Sequence, residues 1–494
     1  MTRQAITLIG GGLVGALVAQ LLAKRGFSVE VFEKRPDPRH ARPVRGRTIN
    51  LALAERGLQA LRSAGLAEHA LQKSVMMRGR MVHPLRGEPG LQRYGVDDNE
   101  VIWSISRSGL NALLIDAAEA AGVKFHFGQS LAEADIDSGR IALIDDNGVQ
   151  REHDASLLIG ADGAGSALRA AMNAYEPLGI CVEPLGHGYK ELEIPALPET
   201  GNGRFAIEPH ALHIWPRASY MSIATPNISG SFNVTLFLPL HGPHPSFDTM
   251  PDAAAASGFF REQFPDLFPL MPHFAEDYDS HPVGTIATLY LDSWHIDGRA
   301  VLLGDAAHAI GPFHGQGMNC GFEDAVVLTD LLAAPGRDTA DAFEEFQRIR
   351  KPNADAIAAM TQENYIEMRD SVADPHYLAK LELGKRLAQR APRYFMPRYR
   401  LVTFTLLPYA YAYERGRAQD QLLEQLLRDA PSPNDVPLDA AVATLKATLP
   451  RLPPLRSTDA EEVAHRHVLP GHERPIARFV YPKLASVGDA RGNQ

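Results

Sequence analysis

The feature that most constrains the fold is the stretch from Ala5 to Gly15, an apolar run that leads directly into three spaced glycines. Its apolar half has the character of a buried parallel strand. From Leu13 to Ala23 apolar residues recur at helical spacing, and Gly26 follows as a glycine that ends a helix. Ser28 to Phe32 forms a second strand pattern. The stretch therefore predicts the strand–helix–strand unit that binds dinucleotides.

The three glycines, Gly10, Gly12 and Gly15, meet three different physical needs. The first allows a tight turn, the second lets the backbone approach a pyrophosphate, and the third lets the helix pack on the strand. The helix that begins at Leu13 directs free N–H groups at the phosphates. Glu33 ends the second strand, where it can accept hydrogen bonds from a ribose diol and would repel a 2′-phosphate. This site suits FAD or NAD better than NADP, with a purely structural glycine turn as the alternative.

Two further strand-to-glycine turns follow along the chain. A short strand pattern ends at Asp162-Gly163, and another ends at Gly304-Asp305. Residues 311–319, Gly-Pro-Phe-His-Gly-Gln-Gly-Met-Asn, then lead into an amphipathic helix. Between these motifs, residues 180–290 are rich in prolines and strand patterns, which indicates an antiparallel sheet with one face over a cavity.

These three motifs, in this order, resemble the single-component FAD-dependent aromatic hydroxylases over about residues 1–350. The resemblance implies FAD as cofactor and NADPH as a co-substrate that binds transiently. No second well-placed glycine fingerprint exists for a separate nicotinamide domain, because Gly201-Asn-Gly203 lacks the third glycine and the strand.

The predicted fold class is α/β, with a Rossmann-like FAD-binding domain, an antiparallel β-sheet substrate domain and a C-terminal helical region. The predicted boundaries are 1–68, 104–180 and 286–360 for the FAD-binding domain, 69–103 and 181–285 for the substrate domain, 361–450 for the helical domain, and 451–494 for a poorly ordered tail.

A closer resemblance, to the kynurenine-hydroxylating branch of this family, runs to about residue 415. It is carried by the segments 47–56, 76–81, 187–191, 312–319, 363–368 and 397–399. Mitochondrial members carry a C-terminal membrane segment, whereas this tail is polar and resembles the soluble bacterial form. The implied reaction is hydroxylation of L-kynurenine to 3-hydroxykynurenine with NADPH and O2, through a flavin C4a-hydroperoxide, in tryptophan catabolism. The protein must orient the ring and exclude water, because the oxidising species belongs to the cofactor.

The resemblance also implies roles around the cofactor. Asp305 would bind the FAD ribose, Arg107 would face the pyrophosphate, and Asp162 would either anchor its turn or influence cofactor contacts. The segment that ends at Asn319 would direct backbone N–H groups at the flavin pyrimidine edge. Candidates beside the reacting centre are Pro312, His314 and Gln316. The predicted cofactor-binding residues are Gly10, Gly12, Leu13, Gly15, Glu33, Arg107, Asp162, Gly304, Asp305, Gly317, Met318 and Asn319.

The amino-acid carboxylate of such a substrate requires an arginine with hydroxyl support. By resemblance, Arg80, Tyr94 and Tyr399 supply these groups and Asn364 orients the amino-acid end, while Arg78 is a rival for Arg80. The predicted aromatic-ring wall is Leu212, Met221, Ile223, Phe237, Phe313 and Met368. For these apolar residues the simpler alternative is that they are ordinary core. His308 is expected to pack or hydrogen-bond structurally, and the spacing of His, Cys and carboxylates predicts no metal site.

Composition narrows the partners and the compartment. A net charge of −10 and a pI near 6.0 argue against nucleic-acid binding. Two cysteines cannot form a disulfide framework, which fits a reducing, cytoplasmic location. No signal peptide and no membrane-spanning stretch are predicted. The sequence leaves the oligomeric state open, a homodimer included.

Three alternatives remain open from the sequence. The nearest is a hydroxylase of the same architecture that acts on another aromatic acid or a phenol. A flavin reductase or halogenase and a non-catalytic FAD-binding protein are the others. A phenol hydroxylase needs a group that ionises the phenol, whereas a kynurenine hydroxylase needs a carboxylate clamp.

Overall fold

The computed structural model describes residues 5–40, 50–96, 98–198, 204–367, 374–428, 430 and 432–453. The chain divides into two compact units. The first contains Met1–Arg93 and Ile102–Arg369, and the second contains Tyr94–Val101 and Asp370–Gln494. The predicted division of the first unit into cofactor and substrate domains stays a prediction, and the predicted tail from residue 454 lies outside the described residues.

The elements of the described residues are numbered in chain order. The strands are β1 Ala5–Ile9, β2 Ser28–Glu33, β3 Asn50–Leu53, β4 Ser74–Met77, β5 Gly79–Val82, β6 Gly90–Arg93, β7 Ile102–Ser106, β8 Lys124–Phe127, β9 Gln129–Ala134, β10 Arg140–Asp145, β11 Gln150–Asp154, β12 Leu158–Gly160, β13 Cys181–Ile194, β14 Leu212–Arg217, β15 Tyr220–Pro226, β16 Phe232–Pro239, β17 Gly284–Tyr290, β18 His295–Ile296 and β19 Ala300–Leu302. The helices are α1 Leu13–Lys24, α2 Glu55–Ala64, α3 Ala67–Gln72, α4 Arg107–Ala120, α5 Ala167–Tyr175, α6 Ala253–Gln263, α7 Phe274–Ser280, α8 Asp305–His308, α9 Gly317–Leu332, α10 Thr339–Ile366, α11 Pro375–Arg390, α12 Arg398–Phe404, α13 Tyr409–Leu427 and α14 Leu438–Thr448.

A six-stranded sheet lies in the first unit, in the order β18-β19-β12-β1-β2-β8. Its strands are parallel except that β18 runs antiparallel to β19. The bounds of β1, α1 and β2 confirm the predicted strand–helix–strand unit. Because β19, β12, β1 and β2 are parallel neighbours, the motifs that follow them all lie at the carboxyl end of these strands. Parallel α/β sheets bind ligands at this end, which is called the cofactor edge below.

A seven-stranded sheet, in the order β17-β13-β16-β15-β14-β5-β6, confirms the predicted strands between residues 180 and 290. Its pairs are antiparallel apart from β14 and β5, which run parallel, so the sheet is not purely antiparallel. One face, with Trp215, Val234 and Leu236, packs on buried residues of α6 and α7. Side chains alternate along each strand, so the other face is available for a different set of residues.

Two histidines join β5 to its neighbour. His83 Nε2 and His213 Nδ1 hydrogen-bond at 2.9 Å, and His83 Nδ1 lies 2.7 Å from Asp266 Oδ2. Trp215 donates to the same carboxylate and stacks on His83 with ring centroids 4.2 Å apart. These contacts hold the strand that carries Arg80 against β14, and no local sequence pattern predicted them.

Two smaller three-stranded sheets, β3-β7-β4 and β11-β10-β9, complete the strands of the first unit. The second unit is helical around a core that includes Leu383, Leu387, Leu423 and Leu445. Its helices confirm the predicted helical region and its proline breaks. Pro397 and Pro408 directly precede α12 and α13 as N-cap residues, where the missing N–H of proline removes no hydrogen bond from a helix.

Candidate active site

The glycine loop after β1 has the shape that the sequence predicted. Gly10 has φ +102°, and a Cβ there would lie 2.5 Å from the Ala161 carbonyl oxygen. A Cβ on Gly15 would lie 1.9 Å from the Gly10 oxygen, so these two positions exclude any side chain. A Cβ on Gly12 would meet nothing within 4 Å, and Gly12 caps α1 without a side-chain hydrogen bond. The loop therefore leaves open the position that faces a ligand's phosphates.

Glu33 lies directly against this loop. Its Oε2 accepts a hydrogen bond from the Gly11 N–H at 2.7 Å, and its Oε1 accepts one from the Arg35 N–H at 2.9 Å. The carboxylate thereby fixes the loop, and each oxygen still has a lone pair for a ribose hydroxyl.

Asp162 makes the contacts of a turn anchor. Its Oδ1 accepts from the Ser166 hydroxyl at 2.5 Å, and its Oδ2 accepts from the N–H groups of Ala167 and Leu168 at 2.7 and 3.2 Å. These hydrogen bonds cap α5, which is the anchoring alternative that the sequence left open.

Gly304 and Asp305 begin the single-turn helix α8. Gly304 has φ +59°, and a Cβ there would lie 3.2 Å from a methyl carbon of Val14 in α1. Asp305 is exposed, whereas Ala306, Ala307 and His308 behind it are buried. The turn thus presents one carboxylate outward at the cofactor edge.

Residues 312–319 form a tight turn followed by the start of α9. Pro312 is exposed, whereas Phe313, His314 and Gln316 are buried. Gly315 is left-handed at φ +65°, and α9 begins at Gly317 without a side-chain cap at Gln316. The first N–H groups of such a helix have no partner within the helix, so they can meet a partial negative charge.

Asn319 holds this segment in place. Its Oδ1 accepts from the Ala54 N–H, and its Nδ2 donates to the carbonyl oxygens of Ala52 and Gly315, each at 2.9 Å. The side chain is fully buried and its hydrogen-bonding groups are engaged by the protein. Any contact of Asn319 with a cofactor must therefore come from its backbone.

The second face of the seven-stranded sheet carries an apolar cluster that touches the 312–319 segment. Its buried members are Ile214, Met221, Phe237, Ile286, Phe313 and Tyr365, with Val82, Leu185, Tyr189, Leu212 and Ile223 packed against them. The structure thus brings together five of the six predicted wall residues, Leu212, Met221, Ile223, Phe237 and Phe313. Met368, the sixth, lies outside the described residues.

Arg80 lies on the same face of the sheet as the apolar cluster. It pairs with Leu212 across β5 and β14, two residues from the pair of Val82 and Ile214. Paired residues of neighbouring strands share a face, and residues two apart along a strand do as well. Arg80 is half-buried, whereas Arg78 precedes the strand and is exposed.

Asn364 and Tyr365 join α10 to the same region. Asn364 Nδ2 donates to the Phe313 carbonyl oxygen at 2.8 Å. The Tyr365 ring lies 4.2 Å from the Phe313 ring, between centroids. Asn364 was predicted, whereas Tyr365 was missed, although its place beside Asn364 on a helix that reaches the site was an available signal.

Arg107 is the exposed first residue of α4. Burial raises the pKa of Tyr189, and the positive charge of Arg107 opposes that rise, so the two side chains are within electrostatic reach. A cation at a helix N-terminus is unfavourable for the helix itself, and an anionic ligand at this position would offset that cost.

Tyr94 and Tyr399 belong to the second unit, where they stack with ring centroids 5.3 Å apart. Glu100 and Arg400 form an ion pair beside them, with Arg400 Nε donating to Glu100 Oε1 at 3.0 Å. The ring stack and the ion pair attach the Tyr94–Val101 segment to α12, 300 residues away along the chain.

A buried ionic network that lies behind α8 was not predicted from the sequence. Glu323, Asp324, Arg350 and Arg56 are all less than 9% exposed, and His308 joins them. The available signal was the adjacent acidic pair Glu323-Asp324, which lies among mainly apolar residues in the middle of α9.

Ligand atoms of His308, Cys320 and Asp324 in this network lie within 4.8 Å of one another. Burial and the nearby Asp324 raise the pKa of the Cys320 thiol, which keeps it a neutral and weak ligand. Arg350 binds the Asp324 carboxylate, so the geometry is that of a hydrogen-bond network, and we assign no metal to it.

Among the described residues, no helix has the length and apolar character needed to cross a membrane.

The fold and its cofactor edge define an FAD-binding protein of the flavin-dependent hydroxylase type. Residues 3–178 and 273–361, more than half of the chain, match the FAD binding domain family. Among solved structures, 2-methyl-3-hydroxypyridine-5-carboxylic acid oxygenase aligns with a TM-score of 0.61 and 24% identity over 77% of this chain and 96% of that one. CtdE in complex with FAD and substrate 4 aligns with a TM-score of 0.62 and 16% identity over 86% of this chain and 100% of that one. These likenesses concern the fold.

Relatives with higher sequence identity identify the family within this class. Kynurenine 3-monooxygenase of Xanthomonas axonopodis pv. citri is 51% identical over 91% of this chain and 98% of that protein. The enzymes of the same name from Stenotrophomonas maltophilia and Xanthomonas oryzae pv. oryzae are 51% and 53% identical over 91% and 87% of this chain, and over 98% and 93% of their own lengths. The chain therefore belongs to the kynurenine 3-monooxygenase family and is a flavoprotein aromatic monooxygenase.

Proposed function

We propose that this protein hydroxylates L-kynurenine to 3-hydroxykynurenine with NADPH and O2, as a step of tryptophan catabolism. The names of its relatives support the substrate. The observation that carries the proposal is the position of Phe313. This residue belongs both to the segment 312–319, which is predicted to contact the flavin, and to the apolar cluster on the seven-stranded sheet. A ring held by this cluster would therefore lie beside the segment assigned to the flavin.

The residues at the cofactor edge fit FAD. The open space at Gly12, the uncapped start of α1 and the carboxylate of Glu33 suit a pyrophosphate with its adjoining ribose. Residues that would hold the cofactor are Gly10, Gly12, Leu13, Gly15, Glu33, Arg107, Gly304, Asp305, Gly317, Met318 and Asn319. Bound FAD, once reduced by NADPH, would supply the activation of O2 at its C4a position.

The protein's own contribution is to orient the ring and to keep water out. Phe313 is held from two sides, by the Phe237 ring at 5.2 Å and by the Tyr365 ring at 4.2 Å. Asn364 Nδ2 donates to the Phe313 carbonyl oxygen, which anchors the backbone of the turn at that residue. A rigid apolar wall next to Pro312, His314 and Gln316 would limit water at the reacting centre.

Arg80 is the proposed partner of the substrate carboxylate. It is a half-buried cation at the border of the apolar cluster, and a guanidinium binds a carboxylate through two parallel hydrogen bonds. Tyr94, Tyr399, Asn364 and Met368 remain proposed contributors from the resemblance.

The test is to supply purified protein with FAD, NADPH and kynurenine and to measure 3-hydroxykynurenine by mass spectrometry. Arg80→Ala is expected to raise the KM for kynurenine about 10- to 150-fold, since a hydrogen bond to a charged group contributes about 1.5–3 kcal/mol. Arg78→Ala is the matched control and should leave KM within about twofold. If the exposed arginine carries the effect instead, the assignment of Arg80 is wrong.

The same assay separates the other candidates. Turnover of a phenol or another aromatic acid without turnover of kynurenine would favour the same-architecture alternative. Consumption of O2 and NADPH without any hydroxylated product would contradict the proposal and favour a flavin reductase. A protein that binds FAD but whose flavin NADPH never reduces would be a non-catalytic relative.

A further inference from the structure

The helix α8 is a single turn of four residues, Asp305–His308. An isolated turn of this length is not stable on its own, because helix nucleation costs more than one turn returns. Its orientation must therefore come from contacts with the rest of the protein. This matters because its exposed first residue, Asp305, is the proposed ligand of the FAD ribose.

The Asp324 side chain contacts both ends of this turn. Asp324 Oδ2 accepts a hydrogen bond from the Gly304 N–H, just before the helix, at 3.1 Å. The same oxygen lies 2.6 Å from Nε2 of His308, the last residue of the helix. Asp324 belongs to α9 and has no exposed surface, so these contacts are shielded from water.

The other oxygen of Asp324 is held by a buried ionic network. Arg350 Nε donates to Asp324 Oδ1 at 2.7 Å, and Arg350 Nη1 pairs with Glu323 Oε2 at 2.7 Å. Arg56 Nη1 donates to Glu323 Oε1 at 3.0 Å. Two arginines and two carboxylates thus balance, and α2, α9 and α10 are tied together behind α8.

This balance keeps Asp324 ionised. Burial alone would raise the pKa of Asp324, but the contacts of its carboxylate with His308 and Arg350 outweigh burial and hold the pKa at about 2. The carboxylate is therefore available as a double acceptor at any working pH.

We propose that Asp324 is a positioning residue for the cofactor, which orients α8 so that Asp305 meets the FAD ribose. The inference rests on the proposed role of Asp305. Glu323 distinguishes this role from that of a general core ion pair. It is the sequence neighbour of Asp324, is also buried and belongs to the same network, yet its contacts among the described residues run to Arg56 and Arg350 rather than to α8.

The test compares Asp324→Asn with its matched control Glu323→Gln. Each variant neutralises one buried anion of the network. Apoprotein would be titrated with FAD and the quenching of flavin fluorescence followed, and the thermal stability of the apoprotein would be measured in parallel. Asp324→Asn is expected to weaken FAD binding at least about tenfold more than Glu323→Gln, at a comparable loss of apoprotein stability. Equal weakening by the two variants would overturn the inference.

Asp305→Asn separates the inference from the proposed function. If it leaves FAD affinity unchanged, the ribose assignment fails whatever Asp324 does. If it weakens binding, the double variant Asp305→Asn/Asp324→Asn should bind no more weakly than the weaker single variant, because Asp324 acts through Asp305. Additive losses would overturn the inference.

A second pair of variants covers a failure of Asp324→Asn to fold. His308→Gln can still donate a hydrogen bond to Asp324, whereas His308→Leu cannot. FAD affinity retained in the first and reduced in the second would support the inference, and equal affinities in both would refute it.

Discussion

Replacement of Asn319 by Ala should be among the most destabilising single changes in the first unit. The side chain has no exposed surface and makes three hydrogen bonds at 2.9 Å, to the Ala54 N–H and to the carbonyl oxygens of Ala52 and Gly315. It also packs closely on α2, where a Cβ on Gly57 would lie 2.4 Å from its Oδ1. Truncation therefore removes both polar contacts and volume.

The magnitude follows from what is left unpaired. Ala54 is 1% exposed, so its orphaned N–H loses a partner without access to water, at a cost of about 1–3 kcal/mol. The two carbonyls belong to half-buried residues, and water can partly replace the amide, which leaves roughly 0.5 kcal/mol each. With a small cavity added, the expected loss is about 3 kcal/mol.

Thr329→Val is the matched control on the same helix. Thr329 is 2% exposed, and its Oγ1 has no hydrogen-bond partner among the residues that the structure describes. Removing this hydroxyl should change stability by less than about 0.5 kcal/mol or raise it, because no bond is lost. Thermal unfolding of the apoprotein with and without FAD compares the two variants.

Asn319→Asp separates hydrogen bonding from volume. The carboxylate fills the same space, but an oxygen then faces the two carbonyls that the amide Nδ2 served, so the variant should lose at least as much stability as Asn319→Ala. The reasoning is refuted if Asn319→Asp is tolerated, or if Asn319→Ala differs from the Thr329 control by less than about 1 kcal/mol.

Three further predictions concern other parts of the molecule. Glu100→Gln should destabilise the second unit by about 2 kcal/mol, seen as faster limited proteolysis, because it leaves the largely buried Arg400 without its anion. Burial lowers the pKa of His213 to about 4 from an ordinary 6.5, so the unfolded chain takes up the proton first. His213 therefore contributes stability above pH 6.5 that is lost as pH falls towards 4, and His213→Asn should flatten this part of a pH–stability curve. A thiol reagent should label the exposed Cys181 quickly and the buried Cys320 only after denaturation; two fast thiols would contradict this.

Much of the local secondary structure could be predicted from the sequence. The strand–glycine–helix unit at Ala5–Lys24 was predicted almost to its ends, because glycine sterics and helical periodicity act within a few residues. Three strands of the seven-stranded sheet, β14, β15 and β16, were predicted as well, since period-two alternation marks them, whereas β5, β6, β13 and β17 were not. The apolar residues Met221, Ile223 and Phe237 were named individually, and the structure brings them onto one face.

The buried hydrogen bonds and ion pairs behind the site could not be predicted from the sequence. No local sequence pattern indicates that Asn319 hydrogen-bonds to backbone groups of Ala52 and Ala54. Likewise, none indicates that Asp324 hydrogen-bonds to both ends of α8. The parallel pairing of β5 with β14 was likewise missed, although it sets Arg80 beside Leu212. Such contacts depend on where separate elements, from 16 to 267 residues apart in these examples, finally lie.

By itself, the sequence determined the cofactor edge and the chemical class, because those rest on residue types at short, fixed spacings. The glycines that must approach a pyrophosphate and the acidic residues that end the strands are local requirements. Only the tertiary structure decided which buried charges hold that edge rigid and which arginine shares a face with the apolar cluster. A buried polar group is stable only with a partner at hydrogen-bond distance, and in this chain those partners come from other elements, such as α8 and α10 for Asp324 and the residues Ala52 and Ala54 for Asn319.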